Sequence, residues 1–388
     1  MKMLLSKVKD VLKFLSAILA ANILKINPKN RDIWIITERR EECKDNGYYL
    51  FKYMRENYPE RKAFYAIEKD SPQKKRIEQY GNILDSNSWK HYVYALSATR
   101  LIGAFIPCGI PDSICFYKFN KIVKGKRVFL QHGITKEKIP ALFYDRTGLD
   151  CFICGAKPEF EAVVQDFQYP KGAVQYTGFC RFDGLHTFQT EKFVLLMPTW
   201  RHWIPSATWH NSGMGNPEDY AYFRCYKKLV NDVAFRESLL RHDMRLIFYL
   251  HHETQPYLEY FGQSDNIVTF ATEKDYDVQD LLKSCSCLIT DYSSVAFDVG
   301  YMKKPIIYYQ FDEDEYYSKH YQKGYFDYNT MGFGAKCETI IQVNEQMKLI
   351  LDNSCQMAEQ YQKRVDEFFV YRDMKNCERV FQAIMQME

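Results

Sequence analysis

The chain has 388 residues, 46% of them hydrophobic and 26% charged, with a formal net charge of +3. That length exceeds what one hydrophobic core usually organises, so two domains are expected. So small a net charge gives no argument for a nucleic-acid partner, which calls for a concentrated basic face, and none is expected. The 12 cysteines are scattered, and a chain of this size needs no disulfides, so a reducing, cytoplasmic setting is expected. Cys151 and Cys154 have the spacing of half a zinc site or a redox pair. They sit in the apolar run 149–154, where side chains alternate between strand faces, so core packing is the expectation and metal or redox chemistry the alternative.

In chain order, residues 1–28 come first and differ from the rest. Leu4, Val8, Val11, Leu12, Leu15, Ile18 and Leu19 recur at helical spacing, and Lys2, Lys9 and Lys13 fall on the other face. This is the pattern of an amphipathic helix lying on a membrane surface through residues 1–26. The nearly apolar run 14–24 is too short to span a bilayer. A signal peptide and a helix packed on the body are the alternatives, and Pro28 ends the segment.

From residue 31 onward, short apolar runs alternate with helical stretches. Strands are expected at 33–37, 63–67, 101–107, 127–130, 149–154 and 174–176. Helices are expected at 47–57, with Asp45 and Asn46 as caps, and at 89–98 and 158–167. A second series of strands follows at 193–197, 245–250, 267–270, 287–290 and 305–309, with helices at 220–241 and 278–284 between them. Such alternation predicts mostly parallel sheets covered on both faces. The expected organisation is an α/β domain over 30–185, a linker near 178–189, a second α/β domain over 190–345, and a closing helical segment over 346–388.

Ligands of parallel α/β sheets gather where strands run out into helices, and four polar stations fall at such places. The first is Gln131-His132-Gly133, followed by Lys136. His132 has the side chain of a neutral-pH general base, Gly133 permits a tight turn, and a histidine hydrogen-bonded into that turn is the plain alternative. The second is Pro198-Thr199-Trp200-Arg201, where Arg201 can clamp a phosphate bidentately or stack on a tryptophan at the surface. The third is His251-His252-Glu253; adjacent residues leaving a strand point to opposite sides, which argues against a shared metal ion. The fourth is Thr290-Asp291-Tyr292-Ser293-Ser294, an apolar strand opening into a helix whose free N–H groups and hydroxyls suit a phosphate. The acidic run 312–315 reads as a solvated turn.

These stations, with Asp45-Asn46-Gly47 before them and Lys304-Pro305, Tyr308–Asp312 and Lys323–Asp327 after them, resemble the CDP-glycerol glycerophosphotransferase family of teichoic-acid and capsule synthesis. The resemblance covers most of the chain after the first thirty residues. It implies two facing Rossmann-like domains of the GT-B type, with the donor mainly on the second. It further implies a cofactor-free, metal-independent enzyme held peripherally at the cytoplasmic face of the membrane. The substrates implied are CDP-glycerol or a related CDP-polyol and a lipid-linked glycan or polymer acceptor, with release of CMP. Carried over by position, His132 is the base towards the acceptor hydroxyl. His251, Arg201, Ser293 and Ser294 hold the diphosphate, with Thr199 and Thr290 beside them, and Asp291 organises the pocket. The lysine that many members carry five residues after the histidine is missing here; Lys136 and Lys138 are nearest, and His252 can share the role of His251. A nucleotide-sugar transferase on the same fold and a non-catalytic membrane-associated partner are the alternative readings.

Overall fold

The computed structural model of this chain describes residues 2–205 and 215–387, with side chains from Val8 onward at the amino end. It divides into two compact units. The first holds the chain up to Ile134, Pro140–Gly184 and the chain from Tyr371; the second holds Thr135–Ile139 and Leu185–Val370.

The first unit is built on a seven-stranded sheet: β1 (Ile33–Thr37), β2 (Lys62–Ile67), β3 (Ile83–Asp85), β4 (Arg100–Gly103), β5 (Lys126–Phe129), β6 (Cys151–Cys154) and β7 (Val174–Tyr176). The spatial order is β3-β2-β1-β4-β5-β6-β7, and the pairings are parallel. Ile33, Ile35 and Leu101 are fully buried among Phe64, Leu96 and Phe116, which is why these strands read as continuous apolar runs. Cys151 and Cys154 are buried in β6, and burial raises both thiol pKa values, that of Cys151 to about 12. They are core side chains.

The second unit carries a six-stranded sheet: β8 (Phe193–Leu196), β9 (Arg245–Tyr249), β10 (Val268–Ala271), β11 (Cys287–Thr290), β12 (Ile306–Tyr309) and β13 (Gly334–Cys337). Its order is β10-β9-β8-β11-β12-β13, again parallel. Leu196, Phe248 and Ile289 meet Tyr226 and Leu239 in its core. The long helix expected over 220–241 is two, Ala221–Asn231 and Val233–Arg241. Asp232 between them is extended, and its side chain caps the second by accepting from the Phe235 N–H.

Both ends of the chain are attached to the first unit. The amino-terminal helix Lys2–Ile26 buries Phe14, Ala17 and Ala21 against the helix Trp89–Ser97 and its neighbours. Asp10 accepts from Tyr92 Oη at 2.6 Å, and Lys13 Nζ lies 4.2 Å from the centre of the Tyr92 ring. Lys13 therefore faces the body, a correction to the expected lysine face. Lys2 and Leu4 lie outside the described side chains. The stretch expected as one closing segment is divided. Helices Ile340–Asp352 and Glu359–Phe368 belong to the second unit, and Asn376–Met385 to the first.

Candidate active site

In each sheet the strand order reverses between neighbours with crossovers on opposite sides, β1 beside β4 and β8 beside β11. Those reversals are where doubly wound sheets accept ligands. The polar stations of each unit gather beside them.

In the first unit, β5 ends at Phe129 and Gln131 then adopts a left-handed conformation, with φ 60°. Gly133 was expected to make this turn; Gln131 makes it. A non-glycine residue in that region must be held there. Gln131 Nε2 donates to the Ile153 carbonyl at 2.6 Å and to Glu159 Oε1 at 3.0 Å. Asn46 Nδ2 donates to the carbonyls of Leu130 and Gln131 at 3.2 and 2.7 Å. Asn46 opens the helix Asn46–Asn57 behind its cap Asp45, so the early Asp-Asn-Gly motif serves the histidine turn.

His132 follows, exposed, with its ring stacked on Phe105 at 4.3 Å and 14°. Its Nδ1 lies 3.4 Å from the Ala104 carbonyl. A proton on Nδ1 shared with that carbonyl leaves Nε2 as the basic nitrogen. Although solvent reaches the side chain, crowding by protein desolvates the ring. That desolvation, with the positive charges of Arg39 and Arg181, pushes its pKa down to about 4. The imidazole is neutral at neutral pH.

In the second unit, Asp291 is fully buried at the end of β11. Its Oδ1 accepts from the N–H groups of Thr199 and Tyr292 at 2.8 and 2.5 Å. Its Oδ2 accepts from Tyr226 Oη at 3.1 Å and pairs with Arg201 Nη2 at 2.8 Å. Arg201 also grips Asp312 through Nε and Nη2 at 2.8 and 3.1 Å and donates from Nη1 to the Thr199 carbonyl. The rings of Tyr222, Tyr292 and Tyr316 each stand 5.1 Å from its guanidinium. Two expectations are corrected here. Arg201 was expected to clamp a phosphate, but it is 0% exposed and its fork is closed on two carboxylates. Asp312 was expected in a solvated turn, but it is buried as that fork's partner.

Thr290 is likewise turned away from a ligand role, being fully buried with Oγ1 donating to the Met197 carbonyl at 2.7 Å. Ser293 and Ser294 remain half-buried at the opening of the helix Val295–Tyr301. Thr199 Oγ1 is buried and has no hydrogen-bond partner among the described residues.

β9 stops at Tyr249, so His251 and His252 leave from a turn and not from a strand. Their rings lie side by side at 4.1 Å, which corrects the expectation of opposite directions. His252 Nε2 is 3.3 Å from Glu253 Oε1, and His251 stacks towards Trp200 at 5.9 Å and 14°. Among the described residues no three of His, Cys, Asp and Glu are grouped to hold a metal ion.

Two residues enlarge this station. Lys136 belongs to the second unit, buried against Glu137 and 5.9 Å from the Tyr328 ring. Burial, against the pull of Asp291, lowers its pKa to about 7. Gly324 fits over it so closely that a Cβ there would stand 2.0 Å from the Lys136 carbonyl oxygen. Sequence reasoning missed His320. Its ring packs 3.7 Å from that of His202 and 4.7 Å from that of Tyr316. Its Nδ1 accepts from the His202 N–H at 3.1 Å, which puts the proton on Nε2, a donor without a partner among the described residues. Nothing in Lys319-His320-Tyr321 signals this role.

Two doubly wound, Rossmann-like α/β units, each with polar groups at its strand ends, make a fold of the GT-B type. The chain matches the pattern of the CDP-glycerol:poly(glycerophosphate) glycerophosphotransferase family over residues 19–386, and it belongs to that family. It is 32% identical to the minor teichoic acid biosynthesis protein GgaB of Bacillus subtilis (strain 168), over 92% of this chain and 40% of that protein. It is 22% identical to the teichoic acid poly(glycerol phosphate) polymerase of the same organism, over 100% of this chain and 54% of that one. The chain thus spans about half or less of the length of these relatives. The wall teichoic acid polymerase TagF has the same fold, with a TM-score of 0.65 at 17% identity over 98% of both chains. A putative UDP-N-acetylglucosamine 2-epimerase from Listeria monocytogenes follows it less closely, with a TM-score of 0.57 at 13% identity over 91% of this chain and 96% of that one.

Proposed function

We propose that this chain transfers glycerol phosphate, or a similar polyol phosphate, from a CDP-activated donor to a hydroxyl of a teichoic or related polymer, releasing CMP. The observation that carries the reading is the family pattern across residues 19–386, together with the neutral, exposed His132 in the turn after β5. A TagF variant has been soaked with CDPG, which supports a CDP-linked donor for this chain too.

The acceptor hydroxyl attacks the phosphorus next to the polyol, and its proton passes to His132 Nε2 as the new P–O bond forms. The bond from that phosphorus to the bridging oxygen breaks, and CMP leaves with that oxygen. Phosphoryl transfer asks mostly for positioning and charge stabilisation. His251, Ser293 and Ser294 supply these to the diphosphate, and Lys136, buried against Glu137, and the buried donors of Thr199 and His320 support them from behind. Arg201 acts one step back, holding Asp291 and the Thr199 turn in place. Side chains of this kind carry the charge without a metal ion. His252 assists His251 through its neighbouring ring.

Attachment to a membrane surface completes the reading. Among the described residues no helix is long and apolar enough to cross a membrane. The helix Lys2–Ile26 nevertheless leaves Val8, Leu12, Leu15, Leu19, Ile23 and Ile26 exposed along one face, Leu19 at 68%. That stripe supports a peripheral position beside a lipid-linked acceptor.

The test is CMP release from CDP-glycerol and, in parallel, CDP-ribitol, with and without a lipid-linked acceptor and with EDTA present. Acceptor-dependent, EDTA-resistant release that falls by at least ~100-fold in His132→Ala is the expected result. Turnover of nucleotide sugars in place of both CDP compounds would overturn the donor assignment, and loss of release in EDTA the metal-free mechanism.

A further inference from the structure

The chain leaves β1 at Thr37, and the next side chain is buried. Glu38 is 7% exposed, and its carboxyl binds backbone. Oε1 accepts from the N–H groups of Asp45 and Tyr48 at 2.9 and 2.7 Å, and Oε2 from that of Lys44 at 2.8 Å. These donors surround the opening of the helix Asn46–Asn57, where the first N–H groups of a helix lack partners within it. Gly47 makes so close an approach possible. A Cβ there would stand 3.0 Å from Glu38 Cγ, 3.1 Å from its Oε1 and 3.1 Å from the Thr37 carbonyl oxygen.

Asn46 lies between the held N–H groups of Asp45 and Tyr48 and is fully buried. Its Nδ2 donates to the Leu130 and Gln131 carbonyls, and its Oδ1 accepts from the Arg181 N–H at 3.0 Å. Arg181 donates in turn from Nη1 to Asp45 Oδ1 at 3.0 Å. The backbone that Glu38 fixes therefore aims the amide that fixes the two carbonyls before His132. A carboxyl suits this place because it offers acceptors to all three N–H groups, whereas an amide turns its amino group towards at least one of them. Burial and the charge of Asp45 raise the pKa of Glu38 to about 8, against the pull of the N–H groups. Acceptor oxygens remain in either protonation state.

We infer that Glu38 is a positioning residue for His132, acting through Asn46, and that Gly47 leaves the room its carboxyl needs. The inference rests on the transfer reading for the meaning of His132, but its first measurement needs no turnover.

Glu38→Gln and Gly47→Ala are compared with the wild type by NMR titration of the histidine rings, with His132→Ala to assign the signal. Desolvation, with Arg39 and Arg181, holds the His132 pKa at about 4 against the Ala104 carbonyl and Glu42. The wild-type ring is therefore expected to stay neutral down to about pH 5. In both variants it should titrate nearer its ordinary value of about 6.5, because a released turn lets water reach the ring. The direct electrostatic effect of Glu38→Gln has the opposite sign, since losing a negative charge can only lower a histidine pKa, and Gly47→Ala changes no charge. An upward shift thus reports the turn itself. Titrations are read on samples whose melting curves show a folded protein, and Gly47→Ala alone decides if Glu38→Gln does not fold. In the same samples kcat for CMP release should fall by ~100-fold while KM for CDP-glycerol holds. Adding Glu38→Gln to Asn46→Ser should lower kcat by less than about twofold more, because the two residues act in series. An unchanged His132 titration in the folded variants, or effects of Glu38→Gln and Asn46→Ser that multiply, would overturn the inference. A shifted titration in a protein whose wild type releases no CMP sinks the transfer reading and leaves the positioning role standing.

Discussion

Arg201 shows how a motif can be read correctly as a place and wrongly as a contact. Its position after an apolar strand was legible in the sequence, and so was the Thr-Asp-Tyr-Ser-Ser run. Its partner Asp312 stands 111 residues further on, and no local pattern links the two. An arginine with two buried carboxylates is a unit that cannot lose one member cheaply, because the remaining charges stay desolvated. Burial opposes the charge of Arg201, but the carboxylates of Asp291 and Asp312 outweigh it and hold its pKa well above the usual guanidinium range. Arg201→Met should therefore lower the stability of the second unit by ~3–5 kcal/mol, read by chemical denaturation. Full stability with a raised KM for the CDP donor would return Arg201 to the role of phosphate clamp. His251 and His252 teach the same lesson on a smaller scale. The alternation rule holds within a strand, and β9 ends two residues before them.

Elements were legible where apolar runs were long and central. β1 and β11, central in their sheets, fall where the periodicity puts them. β3 and β13 were missed; both lie at sheet edges, and their sequences Ile83-Leu84-Asp85 and Gly334-Ala335-Lys336-Cys337 carry too few apolar residues to announce a strand. The amino-terminal helix was legible as amphipathic but has two apolar faces. Phe14, Ala17 and Ala21 dock on the body, and the stripe from Val8 to Ile26 stays outside. Removing the helix would uncover the core that it packs against and confuse the two roles. Replacing Leu12, Leu19 and Ile23 by serine separates them. Each side chain carries ~1.5–3 kcal/mol of burial in a lipid interface, so sedimentation with anionic liposomes should fall by at least ~100-fold while the melting temperature holds. Unchanged sedimentation would sink membrane attachment through this face.

At the scale of the molecule, the chain does not fill its two units in sequence. Residues 135–139 leave the first sheet to join the second unit, and the chain from Tyr371 returns to the first. The sequence marked the end of the chain as helical, but amphipathic spacing alone does not say which core a helix will find. Phe381 records the answer. It stacks on Tyr58 at 4.3 Å and 21°, stands 5.7 Å from Trp34 of β1, and is 2% exposed. Arg100 of β4 donates to the Ile384 carbonyl at 3.3 Å, and Asp183 accepts from Asn376 at 2.7 Å. The last helix is thus part of the core that supports the histidine turn, although more than two hundred residues separate them in sequence. Phe381→Ala removes a buried ring at a cost of ~3–5 kcal/mol. Hydrogen exchange should show that loss across β1, β2 and β4, with protection in β8, β9 and β11 unchanged. Equal loss in both sheets would mean that the two units unfold as one cooperative body, and that the division of the chain has no energetic counterpart.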